Sequence, residues 1–241
     1  MNESTGNLEA LTFRNEHDRG GLLVRNRHFG PIRASGCGLS AGAKGRKNPS
    51  RFEKCVFSDI RADRCVVGNP IFVECVLRGV KADFLNCRNA LFLECSFEGK
   101  IDGVKFGLEP RSDPESPAPD PKLLAEYKRL LSKVRFGIDV RKALLLNVDF
   151  DGEEIIPYVL FQSGQCAIVR GRELRKKLRP IADSISDPVI RNVLYSATVC
   201  EGQNSALLVL EGSGASERVS ELREVVSRGG IELIDQPFER S

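Results

Sequence analysis

Tryptophan is absent from this 241-residue sequence, methionine occurs once, and histidine occurs only twice, at His17 and His28. Neither histidine stands in a recognised motif, so a Ser/His/Asp or Cys/His catalytic site has no sequence support. No HExxH and no Walker loop is present, which removes the two commonest motif-borne hydrolase chemistries. None of the eight cysteines forms a CxxC pair, so a structural zinc site has no support either. Long apolar runs are missing: a stretch such as Ala206–Leu210 is far too short to span a bilayer. Charge of one sign is missing too, since 36 Lys/Arg face 33 Asp/Glu for a net +3. That near-neutrality argues against strong non-specific nucleic-acid binding, which needs many phosphate contacts. The start, MNESTGN, is polar and lacks the charged-then-apolar pattern of a secretory signal, so the expectation is a cytoplasmic protein with no membrane association. No cofactor and no metal is expected, and the reading leans away from an enzyme.

What the sequence does contain is a repeat. RFEKCVF (51–57), IFVECVL (71–77) and LFLECSF (91–97) align with Phe52, Phe72 and Phe92 spaced by 20, and with Cys55, Cys75 and Cys95 spaced likewise. A fixed period of this length signals stacked units. Within each unit the apolar positions recur every five residues. Cys55, Ile60, Cys65, Pro70, Cys75 and Val80 belong to one row; Phe57, Ala62, Val67, Phe72, Leu77 and Ala82 belong to the other. Five fits no helix face. The two rows sit two residues apart, which is the strand period, so the chain is expected to make short extended pieces, turn corners, and stack at the spacing of paired strands, roughly 4.8 Å.

These residues resemble the pentapeptide-repeat family, whose fold is a right-handed quadrilateral β-helix. CVF (55–57), CVL (75–77), CSF (95–97) and KADFLNC (81–87) carry the resemblance. It covers 51–107 and returns over 136–155. The resemblance implies a mainly β solenoid that binds other macromolecules. Some members of the family mimic DNA and bind topoisomerases, but 51–107 holds nine Lys/Arg and eight Asp/Glu, without the acidic face such mimicry requires. Phe84 falls out of register with 82 and 87, so an irregular corner is expected there, and Ile101, Val104 and Phe106 drift from the period.

The remaining segments are read around this core. Residues 1–50 form an N-terminal cap and loop, in which Leu11–Phe13 and Leu22–Val24 suit short strands and Ile32, Cys37 and Leu39 suit an imperfect early unit, with Cys37 and Leu39 spaced like Cys55 and Phe57; Lys44, Arg46 and Lys47 fall in a Gly/Lys/Pro loop. Residues 108–135 form a Pro-rich linker and an inserted amphipathic helix. Asp120-Pro121 is its N-cap pair, and Leu123, Leu124, Tyr127, Leu130, Leu131 and Val134 form its stripe. That stripe is expected to cover the chain's own flank, with a partner's groove as the alternative. Residues 136–168 form a further unit, with Ile138, Ala143 and Val148 in one row and Val140, Leu145 and Phe150 in the other. Asp149, Asp151, Glu153 and Glu154 are read as a solvated acidic face. The cysteines of the rows are expected to be reduced core thiols.

Residues 169–241 read as a small α/β C-terminal unit. Arg170, Arg172, Arg175, Lys176, Lys177 and Arg179 make a basic helical stretch ending at Pro180, with no aromatic residue to stack on a base. Val193–Val199 suits a helix or a strand. Gly212 and Gly214 lie in a turn between a strand and a helix, and are the cofactor-binding candidates, as a phosphate turn. The third glycine of a dinucleotide motif is replaced by Glu217, so a plain turn is the competing reading. The function expected is a non-catalytic protein–protein interaction module with another protein as partner. The alternatives are an inhibitor or immunity-type protein that binds a toxin or enzyme, and a small-molecule-binding or enzymatic C-terminal domain.

Overall fold

A computed structural model describes residues 11–17, 20–39, 49–110, 120–150, 155–161, 166–170, 174–199, 205–209 and 215–234. The chain is mainly strand. In order it forms β1 (Leu11–Arg14), β2 (Leu23–Arg25), β3 (His28–Phe29), β4 (Ile32–Ser35), β5 (Gly38–Leu39), β6 (Arg51–Glu53), β7 (Val56–Val67), β8 (Ile71–Val73), β9 (Val76–Cys87), β10 (Leu91–Leu93) and β11 (Cys95–Phe106). After helix α1 (Pro121–Leu131) come β12 (Ile138–Leu146), β13 (Asp149–Phe150) and β14 (Val159–Leu160). Every pairing among these strands is parallel. One sheet runs β1-β4-β7-β9-β11-β12-β14 and a second runs β10-β8-β6-β2.

The 20-residue period is the pairing register. Phe52 pairs with Phe72 and Phe72 with Phe92; Ile60 pairs with Val80 and Ala62 with Ala82. The five-residue period has a backbone cause. Lys54, Asp59 and Arg64 have φ of 54°, 51° and 47°, and one layer on Glu74, Gly79 and Phe84 have 51°, 63° and 63°. A single left-handed residue between extended pieces reverses the pleat locally and turns the chain. These corners therefore stack in columns as the strands do. Phe84 is one of them. Register is unbroken from Asp63–Asp83 to Cys65–Leu85, so the corner is shared with Arg64 rather than irregular.

The irregularity lies one layer later. Glu98 pairs 20 positions back with Arg78, Ile101 pairs 21 back with Val80, and Val104 pairs 19 back with Leu85. One residue is gained and two are lost, yet Ile101, Val104 and Phe106 all end in the core. Gly103 sits where the residues are lost. Its φ is +75°, and a Cβ there would stand 2.1 Å from the Ala82 carbonyl oxygen, so no other residue fits without moving backbone.

Parallel pairing reaches further toward the N-terminus than the residue repeat does. β2 to β5 pair with β6 and β7 at an offset of 28, from Leu23–Arg51 to Leu39–Val67. β1 pairs with β4 at an offset of 21. The segment read as a cap thus contributes strands to both sheets. At the other end, Cys95 pairs with Ile138 and Phe106 with Phe150, so the chain rejoins the sheet after α1. The two rows expected there, Ile138, Ala143 and Val148 with Val140, Leu145 and Phe150, are all buried.

The core is a column of phenylalanines flanked by small residues and thiols. Phe52, Phe72 and Phe92 stack at 5.2 and 5.0 Å between ring centroids. Phe29 stacks on Phe57 and Phe106 on Phe150, and edge contacts through Phe57, Phe97 and Phe106 join these groups into one run. Cys55, Cys75 and Cys95 are buried free thiols that bond to carbonyl oxygens, Cys75 to those of Phe52 and Val73. Burial pushes the Cys87 thiol up to about 12 and the Cys95 thiol well above its ordinary value. These cysteines behave as small apolar residues.

Helix α1 closes one flank. Asp120 caps it by accepting from the Lys122 and Leu123 amides at 2.8 and 3.2 Å, with Pro121 opening the first turn. Tyr127 and Leu131 are buried, Leu124, Leu130 and Val134 pack against the main core, and the Tyr127 hydroxyl donates to the Asn69 carbonyl at 2.9 Å. The apolar stripe therefore covers the chain's own flank. Replacing Tyr127 by Phe keeps the ring and removes that bond. The expected cost is about 1 kcal/mol, read from the midpoint of chemical denaturation with an unchanged slope.

The C-terminal unit has a three-stranded antiparallel sheet in the order β16-β15-β17, formed by β15 (Cys166–Arg170), β16 (Ser205–Val209) and β17 (Glu232–Ile234). Its helices are α2 (Leu174–Ser184), α3 (Pro188–Val199) and α4 (Ala215–Arg228). Leu178, Ala182, Ile190, Leu194, Val219, Leu222 and Val226 form a second core. The basic helix does not stop at Pro180. The ring forfeits one backbone bond, but Leu178 and Ala182, both fully buried, carry the apolar stripe past it to Ser184. Val193–Val199 belongs to helix α3. Asp187 caps that helix and also accepts from Arg218 of α4 at 3.2 Å, tying the two together.

Candidate interaction face

Parallel in-register stacking puts equivalent outward side chains in columns, one layer apart. Most charged columns are neutralised between layers. Lys54 meets Glu74 at 3.7 Å, and Arg135 meets Glu94 at 3.7 Å. Arg25 meets Glu53 at 2.6 Å, and Lys105 meets Asp149 at 3.0 Å. Glu98 sits between Arg78 at 2.8 Å and Lys142 at 3.5 Å, and its hydrogen bond with Arg78 holds its carboxyl below the ordinary range. Opposite charges across strands stabilise such columns, by roughly 0.2–1 kcal/mol per pair, and like charges directly opposite do the reverse.

One face breaks that pattern. Arg33 pairs in register with Arg61, and Arg61 with Lys81, so three exposed cations stand in one column. No ion pair to any of the three is found among the described residues. Two positions further along the same strands, Ser35, Asp63 and Asp83 stack in a second column. Asp63 is satisfied: Arg64 at 3.2 Å and the Ser35 hydroxyl at 2.9 Å hold its carboxyl below the ordinary range. Ala34, Ala62 and Ala82 lie between the columns on strands β4, β7 and β9. The result is an open groove of about 400 Å³ across four layers, with Thr12, Phe13 and Arg14 at its N-terminal end. A second groove beside it runs along the same cations and takes in Lys100.

Sequence reasoning did not single out Arg33, Arg61 and Lys81. A signal was present for two of them: Arg61 and Lys81 lie 20 apart next to the Ile60–Val80 row, as Asp63 and Asp83 do. Arg33 was hidden because its layer is offset by 28.

Of the residues that sequence reasoning singled out, only some are among those described. Gly212 and Gly214 lie outside the described residues, as do Lys44, Arg46, Lys47, Asp151, Glu153 and Glu154. The sheet next to that turn is antiparallel, whereas a dinucleotide-binding unit needs adjacent parallel strands. Lys176, Lys177 and Arg179 are exposed on α2. Asp149 is paired with Lys105, as an outward position on a sheet face requires. His17 is exposed. His28 Nε2 lies 2.9 Å from the Ser58 hydroxyl at an exposed position, and no carboxylate among the described residues orients its other nitrogen. No group of three His, Cys, Asp or Glu suited to a metal ion occurs among the described residues, and no described helix is long and apolar enough to cross a membrane.

What the fold defines is a class: a mainly β chain in parallel sheets, with an added antiparallel unit at its C-terminal end. No family model, no curated protein and no solved structure matches the chain.

Proposed function

We propose that this chain is a non-catalytic interaction scaffold that binds another protein, built on a right-handed quadrilateral β-helix of the pentapeptide-repeat kind. Three features support the architecture: the 20-residue register, the left-handed corners five residues apart, and the column of phenylalanines inside. The observation that carries the function is the face itself. In-register strands display Arg33, Arg61 and Lys81 beside Asp63 and Asp83 as fixed rows, which suits recognition of a partner. Stacked layers suit the binding of extended macromolecular partners. An inhibitor or immunity-type role is one form of the same reading. A C-terminal nucleotide site at Gly212 and Gly214 is the weaker reading, because the sheet beside it is antiparallel.

The test is capture of partners by the tagged chain from its host lysate, with nuclease, at low and high salt. One protein recovered in stoichiometric amount under nuclease treatment is the expected result. Recovery of nucleic acid alone, lost on nuclease treatment, or of nothing, would overturn the reading.

A further inference from the structure

The column of Arg33, Arg61 and Lys81 stacks three like charges directly in register, as Asp63 and Asp83 do two positions along the same strands. At Arg78–Glu98–Lys142, by contrast, adjacent layers alternate in sign. Here Arg33, Arg61 and Lys81 stack in three successive layers with no opposite charge between them, and the column meets a carboxylate only at its end, where Lys81 pairs in register with Asp102. Such a column weakens the pairing of β4, β7 and β9 through like-charge repulsion. Sites that break a local rule are where function is to be sought.

We infer that this column is the docking site for an extended acidic segment of a partner protein; the inference rests on the scaffold reading above. The charge calls for an anion. The layer spacing sets the size: three layers span roughly 10 Å, the length of about three extended residues, so two or three Asp/Glu within four consecutive residues match the three cations. The neighbouring Asp63 and Asp83 decide between polymers. A phosphate chain carries one sign throughout and would lie against both columns. A peptide directs its carboxylates to the cations and leaves hydroxyl, amide or basic groups facing Asp63 and Asp83. The exposed Phe13 at the end of the groove, 37% accessible, offers an apolar rest that a peptide side chain can use.

The probe is a fluorescein-labelled glutamate decamer, with a thymidine decamer of single-stranded DNA as comparison, titrated with the full chain at low and moderate salt. The decamer peptide is expected to bind more tightly than the DNA. The triple variant R33E/R61E/K81E is expected to lose peptide affinity at least tenfold. The variant K176E/K177E/R179E, with the same charge change on α2, is expected to lose little. Equal losses in both variants would mean net charge and not the column, and tighter DNA binding lost in R33E/R61E/K81E would make the ligand nucleic acid; either result overturns the inference.

A second measurement does not depend on any ligand. Arg61→Glu places a carboxylate between Arg33 and Lys81 and is expected to raise the melting temperature by a few degrees while weakening the peptide. A lowered melting temperature would make Arg61 a structural residue and overturn the inference. The same triple variant used as bait separates the two levels of argument. If it still captures the wild-type partner, the scaffold reading stands and the column is not its site.

Discussion

Replacing Cys75 by aspartate should abolish cooperative folding of the parallel layers at neutral pH, whereas replacing it by alanine should cost no more than about 1.5 kcal/mol. Cys75 is 1% exposed and lies in the middle layer, between Cys55 and Cys95. Its thiol meets the carbonyl oxygens of Phe52 and Val73 at 3.4 Å, which would repel a carboxylate, and the thiols of Cys95 and Cys55 in the adjoining layers. No cation among the described residues reaches this position, so the new group must either be buried charged or be held neutral. It would be held neutral at first, so its folded-state value would rise above the usual value of about 3.9 for aspartate. The sign follows. Above about pH 4 the unfolded chain gives up the proton and the folded one keeps it, so stability falls as pH rises. The variant should therefore be most stable near pH 4 and lose its transition toward pH 7, while Cys75→Ala shows no such added slope. Thermal melts followed by circular dichroism at pH 4, 5.5 and 7 measure this. If the aspartate variant melts like the alanine variant at pH 7, position 75 does not face the core.

The inward rows were legible in the sequence because both of their periods have a physical origin that is local. The five-residue period reflects the corner at Lys54, Asp59 and Arg64, and the 20-residue period is the register in which successive parallel strands pair. Phe52, Phe72 and Phe92 could thus be placed in one column from spacing alone. The layers before β6 were legible only in part: the strands at Leu11–Phe13 and Leu22–Val24 and the spacing of Cys37 and Leu39 could be read, but not the register in which they pair. The chain takes 28 positions between Leu23 and Arg51, and Phe29, which stacks on Phe57 at 5.2 Å, falls at no multiple of 20 from it. A backbone can absorb extra residues at a corner without disturbing strand register, and a residue count cannot see that. Phe84 shows the opposite case. It was read as irregular because a large apolar residue stands out of the rows, yet it is a regular corner, 47% exposed, with Lys105 over its ring at 5.9 Å. The charged face was only half legible. Columns of charge become visible once register is known, and whether a column is neutralised depends on side-chain geometry between layers.

Phe72→Ala is expected to cost about 3–5 kcal/mol, close to the largest values for single core truncations. Phe72 is 4% exposed. It stacks on Phe52 at 5.2 Å and Phe92 at 5.0 Å, and meets the edge of Phe57 at 5.9 Å. The neighbouring rings have little freedom to collapse into the space, because parallel pairing fixes Phe52 and Phe72 on both sides and joins Phe92 in register to Phe72. The loss should also be directional. Removing this ring parts Phe29, Phe52 and Phe57 from Phe92, Phe97, Phe106 and Phe150, and in chains of stacked layers stability is carried by contacts between neighbours. Among the described residues, the layers before β8 end in exposed apolar side chains, Leu11, Leu22 and Leu23 among these. The layers after β10 keep α1, with Tyr127 and Leu131 buried against the core. Amide hydrogen exchange should therefore show the strands from β1 to β7 opening at lower urea concentration than those from β10 to β14, with Phe84→Ala as a control that costs less than about 1 kcal/mol. If Phe72→Ala costs no more than Phe84→Ala, the column does not hold the layers together. If every strand loses protection equally, the layers unfold as one unit, and the ring's contribution is shared across all of them rather than confined to its own junction.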